Sequence, residues 1–298
     1  MLAVGSVTLL AWLPHSAPTP SLAPTVAVQR SPQPKITWSA KQLEVILSPG
    51  ESVTRDLTFT SDRNIQNVVI EPVPALAPFV RVQPNKFANV PAGQQQSVTL
   101  NFSIPPGTTL GTYDGTLHVR LGSQTLPQTL KLSINAWSSL TVPTQSLRLK
   151  LPDFGIPSQV AIRQPKLAGY LQFVDVEIQI DGQYAPALRM VLYPNPNLLA
   201  LEDWFRVTID DPAGTLFNNQ TFQSTRLANG RPALIRARGI PAAYLEANGP
   251  VEEAYTISSS QDRTVGIVQA QESVLSDLGY SSTAITTLMV KILATLEF

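Results

Sequence analysis

The amino-acid sequence predicts an all-β protein made of two tandem β-sandwich domains. Apolar and polar residues alternate along many segments, and from Val174 to Asp181 the alternation is uninterrupted. A two-residue period is typical of a strand with one buried face. Turns rich in Pro and Gly separate these segments about every ten residues, as in sandwiches of short antiparallel strands. With 298 residues the chain is long enough to bury two cores.

The first element is an apolar segment from Leu2 to Leu13, followed by a stretch rich in Pro and Ala. Its length matches the core of a signal peptide and falls short of the roughly 20 residues that span a bilayer. We interpret residues 1–27 as a signal-like leader, although no Lys or Arg precedes Arg30, and residues 28–35 as a Pro-rich linker. This predicts an extracellular or cell-envelope protein, of bacterial type, without a transmembrane segment.

Residues 36–138 are predicted to form the first sandwich. The alternating segments predict strands at 43–48, 52–60, 66–73, 79–83, 95–104, 112–121 and 126–136. The connections between them include SPGES, VPAGQ, PPGTTLG and LGSQ, which are rich in turn-forming residues. About seven strands in about 100 residues is the size of an immunoglobulin-like domain.

Two segments of this domain, LEVILSPGESVTRDLTF and VPAGQQQSVTLNFSIPPGTTLGTYDGTLHVR, resemble the bacterial immunoglobulin-like modules of secreted glycosidases, proteases and surface proteins. The residues that match the turns and the Gly-x-Tyr-x-Gly segment of these modules are Pro49, Gly50, Glu51, Pro91, Gly93, Pro106, Gly107, Gly111, Tyr113 and Gly115. The resemblance implies a tyrosine corner in which the Tyr113 hydroxyl bonds to upstream backbone. It places Gly115 where antibody domains have a cysteine. It implies a spacer, adhesive or docking role and no particular activity.

Residues 139–298 are predicted to form a second antiparallel sandwich of unknown type. The predicted strands are 145–151, 169–180, 186–193, 204–210, 215–223, 232–238, 252–258 and 263–270. Asp-Gly and Asn-Gly dipeptides supply several of the turns. The C-terminal segment AITTLMVKILATLEF fits both a helical stripe and one face of a strand. Its β-branched residues and its all-β context favour a strand.

The composition excludes several classes of function. Charged residues make up 14% of the chain, the formal net charge is zero, and Lys and Arg form no cluster, so nucleic-acid binding is not expected. The chain has no cysteine and two histidines. Disulfides, thiolate nucleophiles, Cys-ligated zinc and multi-histidine metal sites are thereby excluded. His118 is predicted on the solvated side of a strand. Because these catalytic and metal-binding groups are missing from the sequence, we predict a protein that is not an enzyme.

Three carboxylates, Asp175, Glu177 and Asp181, follow the polar side of the longest alternating segment. The first two would project about 6.6 Å apart along one strand, a spacing that suits glycoside hydrolysis. However, the alternation continues through Gln179 to the following turn, as expected for a face in contact with water. We therefore interpret the row as the solvated side of a sheet.

Two further groups are candidate binding residues. The segment VLYPNPNLLALEDWF brings Tyr193, Asn195, Asn197 and Trp204 together with a Pro- and Asn-rich loop. Aromatic rings beside amides are typical of sugar-binding platforms, although one of Trp204 and its neighbour must face the core. In IDDPAGT, Asp210 and Asp211 with turn carbonyls offer oxygen ligands to Ca²⁺. The same residues also fit an ordinary type I turn. No other cofactor is predicted.

These observations predict a secreted or cell-surface protein with a structural, adhesive or assembly role. The expected partners are proteins or polysaccharides at the cell surface, and exposed strand edges allow self-assembly. One alternative is a carbohydrate-binding accessory protein whose first domain is a spacer. Another is an envelope assembly factor that offers a strand to client proteins, in the manner of a chaperone.

Overall fold

Strands make up most of the described chain, and they lie in several mainly antiparallel sheets, which confirms the predicted all-β class. The structure is a computed structural model that describes residues 33–142, 147–163, 172–208, 222–227, 230–236, 254–261 and 263–297. The predicted leader and all but residues 33–35 of the predicted linker lie outside these ranges. From Pro34 onward the chain forms one compact unit.

The first region of this unit contains two sheets that face each other. Its strands are β1 (Ile36–Trp38), β2 (Gln42–Leu47), β3 (Ser52–Ser61), β4 (Ile65–Pro72), β5 (Val80–Gln83), β6 (Lys86–Val90), β7 (Gln96–Ser103), β8 (Gly111–Leu121), β9 (Gln124–Thr125) and β10 (Leu130–Ala136). One sheet has the order β1-β3-β7-β5, and the other has the order β2-β10-β8-β4-β6 with β9 beside β8. Strands β2 and β10 run parallel, whereas the other neighbours are antiparallel.

The core of this sandwich lies between the two sheets, where side chains from both form one buried cluster. Along β7, Val98, Leu100 and Phe102 are buried in the cluster, while Thr99 and Asn101 between them are partly exposed. The two-residue period of the sequence thus corresponds to the inner and outer faces of the strand.

The residues of the Gly-x-Tyr-x-Gly segment have distinct geometric roles in β8. The Tyr113 hydroxyl donates a 2.7 Å hydrogen bond to the Thr109 carbonyl oxygen, four residues upstream. Gly111 has a φ of 145°, a backbone conformation that residues with a side chain rarely adopt. Gly115 packs so closely that an added Cβ would lie 2.7 Å from side-chain atoms of both Val73 and Leu76. A glycine is therefore required at position 115 by close packing.

Replacing Gly115 with Ala should lower the free energy of unfolding by about 1–3 kcal/mol, because the methyl group overpacks the contact with Val73 and Leu76. Chemical denaturation measures this difference. The matched control is Ser97→Ala at an exposed position on β7, which should change the stability by less than about 0.5 kcal/mol. A Gly115→Ala protein as stable as the control would show that this contact is not tight.

The second region contains a small two-stranded sheet and a seven-stranded antiparallel sheet. Strands β11 (Ser138–Val142) and β12 (Leu147–Leu151) form the first of these. The remaining elements are β13 (Ser158–Arg163), β14 (Gln172–Ile180), β15 (Gln183–Pro194), α1 (Leu201–Thr208), β16 (Phe222–Arg226), β17 (Pro232–Arg236), β18 (Ala254–Gln261), β19 (Thr264–Gln271), α2 (Glu272–Asp277) and α3 (Ser282–Ala294). The large sheet has the order β13-β14-β15-β19-β18-β17-β16.

Both faces of the central strands of this sheet carry apolar clusters. On one face, Val176, Met190 and Val268 pack in a cluster that also contains the buried side chains of α2 and α3. On the other face, Val191 and Ile267 belong to a smaller cluster with side chains of α1. Helices therefore cover parts of a sheet that the sequence predicted to pack against strands.

The predicted C-terminal strand is wrong, because the segment forms α3. The Ser281 hydroxyl caps the helix by accepting a 3.3 Å hydrogen bond from the Ala284 N–H group. The apolar side chains at helical spacing are all buried against the sheet; they are Ile285, Leu288, Met289, Ile292 and Leu293. Burial of this stripe outweighs the strand preference of the β-branched residues. Among the described helices, none is both long enough and apolar enough to cross a membrane.

Candidate functional site

The carboxylate row of β14 is buried, so its interpretation as a solvated face is wrong. Asp175 is 1% exposed and Glu177 is 6% exposed, whereas Asp181, at the turn after the strand, is exposed. Strands β14 and β15 lie inside the seven-stranded sheet, and along β14 the side chains of both faces are buried, Val174 and Val176 on one face as well as Asp175 and Glu177 on the other. An alternating pattern places polar residues on one face, but it does not say whether water or protein covers that face.

A buried ion pair neutralises Asp175. Arg189 is its directly opposite neighbour on β15. The guanidinium donates from Nε to Oδ1 at 2.8 Å and from Nη2 to Oδ2 at 3.2 Å, a two-point contact that engages both carboxylate oxygens. Arg189 is itself 6% exposed, and it faces the buried Gln269 on β19. The row is thus a chain of polar side chains across the sheet.

The arrangement does not resemble a pair of catalytic carboxylates. Glycoside hydrolysis needs one carboxyl group that gives up a proton and a second that either attacks the sugar or activates a water molecule. Here both oxygens of Asp175 are bound to a guanidinium, and Glu177 Oε2 accepts a 2.7 Å hydrogen bond from Gln159 Nε2 on β13. These contacts support a structural role for the row.

The predicted aromatic platform also lies in the interior. Tyr193 is 5% and Trp204 1% exposed, and their ring centroids are 5.2 Å apart with planes at 66°. Trp204 Nε1 donates to the Pro194 carbonyl oxygen at 3.1 Å. The predicted strand at 204–210 is wrong for its first residues, because Trp204 belongs to α1. Sugar stacking needs an exposed ring face, so this packing argues against a platform.

The two candidate amides of that loop differ in position. Asn195 is 1% exposed and holds the turn closed: its side chain accepts from the Leu199 N–H group at 3.0 Å and donates to the Leu199 carbonyl at 2.9 Å. Asn197 is exposed at the tip of the turn. The structure therefore gives Asn195 a local structural role and leaves Asn197 on the surface.

The predicted calcium ligands Asp210 and Asp211 lie outside the described residues. Within the described ranges, no three side chains of His, Cys, Asp or Glu lie together as a metal site requires. His118 is half-buried, and its Nε2 lies 2.8 Å from the Thr116 hydroxyl oxygen on the same strand.

Shifted pKa values are found for Asp62 and Tyr280, which both lie outside the carboxylate row. A hydrogen bond from the Lys35 N–H group lowers the pKa of the Asp62 carboxyl. Burial raises the pKa of the Tyr280 hydroxyl, and the charge of Asp153 adds to the effect. Both shifts lead away from neutral pH, so neither group is tuned for proton transfer there.

The open edge of β13 is the best candidate for a functional surface. This strand was missed in the sequence, where the alternation in SQVAIR is only a few residues long. It forms one end of the seven-stranded sheet and pairs with β14 on one side. No other described strand pairs with its outer side. Val160 and Ile162 on this strand are 36% and 49% exposed.

The ladder geometry shows which main-chain groups face outward. The Gln179 N–H group donates to the Pro157 carbonyl at 2.9 Å, and Ser158 lies opposite Ile178. Residues 157 and 179 are thus a hydrogen-bonded pair, and the next pair, Ser158 and Ile178, has no direct main-chain hydrogen bond. The two kinds of pair alternate along an antiparallel ladder. The main-chain N–H and C=O groups of the following residues therefore point away from β14: Ser158, Val160 and Ile162.

The exposed side chains extend the apolar face of the sheet. Val160 lies opposite Val176 and Ile162 lies opposite Val174, and both of these β14 residues are 1% exposed. Proteins usually protect an edge strand with charges, proline or a bulge. From Ser158 to Ile162 this strand has none of these, and its register with β14 is regular. Within the described residues, the β13 edge is thus unprotected from Ser158 to Ile162, and the charged residue Arg163 stands at its end.

Comparison with known proteins gives no family for the chain. No protein-family model matches it, and no curated protein matches it. A family 123 glycoside hydrolase from Clostridium perfringens aligns over 37% of this chain and 28% of its own length, at 9% identity and a TM-score of 0.31. This chain thus spans little more than a quarter of that protein. A protein of unknown function from Porphyromonas gingivalis W83 aligns over 82% of this chain and 87% of its own length, at 12% identity and a TM-score of 0.28. Likenesses with such low scores carry no argument about function.

Proposed function

We propose that this protein is a secreted or cell-surface, non-enzymatic protein that assembles with further copies of itself through the β13 edge. The observation that carries the proposal is the unprotected edge, in which outward main-chain groups and exposed apolar side chains occur on the same residues, Val160 and Ile162. The signal-like leader and the low charged fraction support a location outside the cytoplasm. The engaged carboxylates of β14 support a non-enzymatic role.

A second copy fits this edge because the strand is complementary to itself. An antiparallel pair centred on Ala161 places Val160 of each copy opposite Ile162 of the other. Both residues have outward-facing main-chain groups, so the two strands can exchange hydrogen bonds there. The same register places Arg163 opposite Gln159, so that no like charges meet. Such pairing would join two seven-stranded sheets and continue their apolar faces across the junction.

Replacing Val160 with Lys should abolish this assembly, because a lysine at the edge must desolvate its charge when a strand pairs beside it. Size-exclusion chromatography with light scattering, at about 0.1 mM full-length protein, should show a dimer for the native chain and a dissociation constant raised at least about tenfold in the variant. Ile162→Lys should act in the same way.

The matched control is Val207→Lys, which introduces the same charge at an apolar residue of α1 that is 73% exposed. It should leave the dimer intact, and at protein concentrations where the native chain is monomeric the unfolding curves of the three variants should coincide with that of the native protein. A native chain that is strictly monomeric, or a dimer unaffected by either β13 variant, would overturn the proposal. Retention of the monomer on insoluble polysaccharide would instead favour the carbohydrate-binding alternative.

A further inference from the structure

A groove lies where the first sandwich meets α3. It has a volume of about 430 Å³, within the range of ordinary ligand sites. Its lining includes Ile46 of β2, Arg55 of β3, and Thr286, Val290 and Ala294 of α3. The helix and the two strands thus line a largely apolar depression, separate from the β13 edge.

Strand β2 borders this groove with an unpaired edge. It is the last strand of its sheet, with β10 as its described neighbour. At its two ends, the Lys131 N–H group donates to the Lys41 carbonyl and the Trp137 N–H group to the Leu47 carbonyl. These bonds set the phase of the parallel ladder, in which alternate residues face the neighbour. The main chain of the intervening even-numbered residues therefore faces away from β10: Gln42, Glu44 and Ile46.

One contact at this edge agrees with that phase. The Ile46 carbonyl accepts a 3.3 Å hydrogen bond from Lys150 Nζ of β12, so it does point away from the sheet. Lys150 also forms an ion pair with Glu51. The edge is thus closed by a side chain at its Leu47 end and remains available for strand pairing around Glu44.

The charges around the groove leave one guanidinium without a carboxylate. Lys291 of α3 forms an ion pair with Glu44, whose carboxylate also accepts a 2.7 Å hydrogen bond from Asn135 Nδ2. Arg55 is exposed, and its described hydrogen bond goes to the Thr54 carbonyl at 3.0 Å. Within the described part of the chain Arg55 has no acidic partner. A ligand with a negative charge near Arg55 would complement the groove.

We infer that this groove binds an extended acidic peptide segment of a partner protein, which adds as a strand to the free edge of β2. Main-chain hydrogen bonds at Glu44 supply affinity, as in other complexes formed by strand addition. Alternate apolar side chains of the peptide pack on Ile46, Val290 and Ala294, and a peptide carboxylate pairs with Arg55. The binding site is independent of assembly through β13, since the two edges belong to different sheets.

The test uses the full chain and a fluorescein-labelled, N-acetylated probe of sequence Thr-Val-Thr-Val-Asp-Val-Thr. Fluorescence polarisation should detect binding of this probe. A probe in which Lys replaces the Asp should bind about threefold to tenfold more weakly, because Arg55 then lacks a negative charge on the peptide to pair with. Methylation of alternate peptide nitrogens should abolish binding, because strand addition needs those N–H groups.

Two variants of the protein locate the site, each with a matched control. Thr286→Phe fills the groove and should weaken binding at least about tenfold, whereas Thr283→Phe, at an exposed position of the same helix, should have no effect. Arg55→Gln should weaken binding of the Asp probe and not of the Lys probe, whereas Arg81→Gln on β5 should change neither. Equal binding by variants and controls, or no binding of any probe, would overturn the inference. If Thr286→Phe instead changes self-association in light scattering, the occupant is a second copy and the inference is wrong.

Discussion

Replacing Asp175 with Ala should lower the free energy of unfolding by about 3–5 kcal/mol, because it removes a buried carboxylate that forms two hydrogen bonds with the buried Arg189 guanidinium. The native pair is 1% and 6% exposed and is joined by two hydrogen bonds. Urea denaturation followed by far-ultraviolet circular dichroism measures the change. Asp114→Ala, at an exposed position of β8, is the control and should cost less than about 0.5 kcal/mol.

A double variant separates the loss of this ion pair from the burial of a charge that has lost its Asp175 contact. Asp175→Leu combined with Arg189→Met replaces both ions by apolar side chains. It should recover most of the lost stability, since an apolar pair in such a site is often as stable as the ion pair it replaces. If the single variant costs less than about 1 kcal/mol, water reaches Arg189 and the row is solvated after all.

Replacing Trp204 with Ala should lower the free energy of unfolding by about 3–5 kcal/mol, because the substitution opens a large cavity between α1 and the sheet. The indole is 1% exposed, packs edge-on against Tyr193 and donates a hydrogen bond to the Pro194 carbonyl. Trp204→Phe keeps a ring but loses the N–H donor, so its effect should be intermediate. Denaturant titration of all variants gives the comparison.

The control for this prediction is Val207→Ala on the exposed side of the same helix, which should change the stability by less than about 0.5 kcal/mol. The experiment also tests the sugar-binding alternative. A Trp204→Ala protein that keeps native stability but no longer binds polysaccharide would place the indole at a ligand surface. Loss of stability with no measurable effect on polysaccharide binding would confirm that the ring belongs to the core.

Local sequence patterns were sufficient for most strands of the first sandwich. Val98, Leu100 and Phe102 alternate with polar residues in β7, and Pro- and Gly-containing turns mark where such strands end. When one face of a strand lies in a core and the other contacts water, apolar and polar residues alternate along its sequence, so the strand can be recognised from that sequence alone. The contact of the Tyr113 hydroxyl with upstream backbone was implied by the resemblance to immunoglobulin-like modules, and its acceptor lies four residues away.

The C-terminal segment shows where local patterns are insufficient. Its residues fit a helical stripe and a strand face equally well, and strand preference pointed to the wrong structure. The choice was made by the sheet against which Ile285 and Met289 pack, more than ten residues away in sequence from their partners on β19. A short strand such as β13 carries too few alternations to be recognised without its pairing to β14.

The sequence by itself determined the all-β class, most strands of the first sandwich but not β1, β6 and β9, and the alternation that gives β14 one apolar and one polar side. Only the tertiary structure decided that this polar side is buried, that Tyr193 and Trp204 are in the core, and that β13 is the last strand of the sheet among the described residues. Alternation depends on the residues of a single strand, and a chain shows it directly. Whether that polar side is exposed to water depends on which other elements pack on the strand, and the pattern of a single strand does not contain that information.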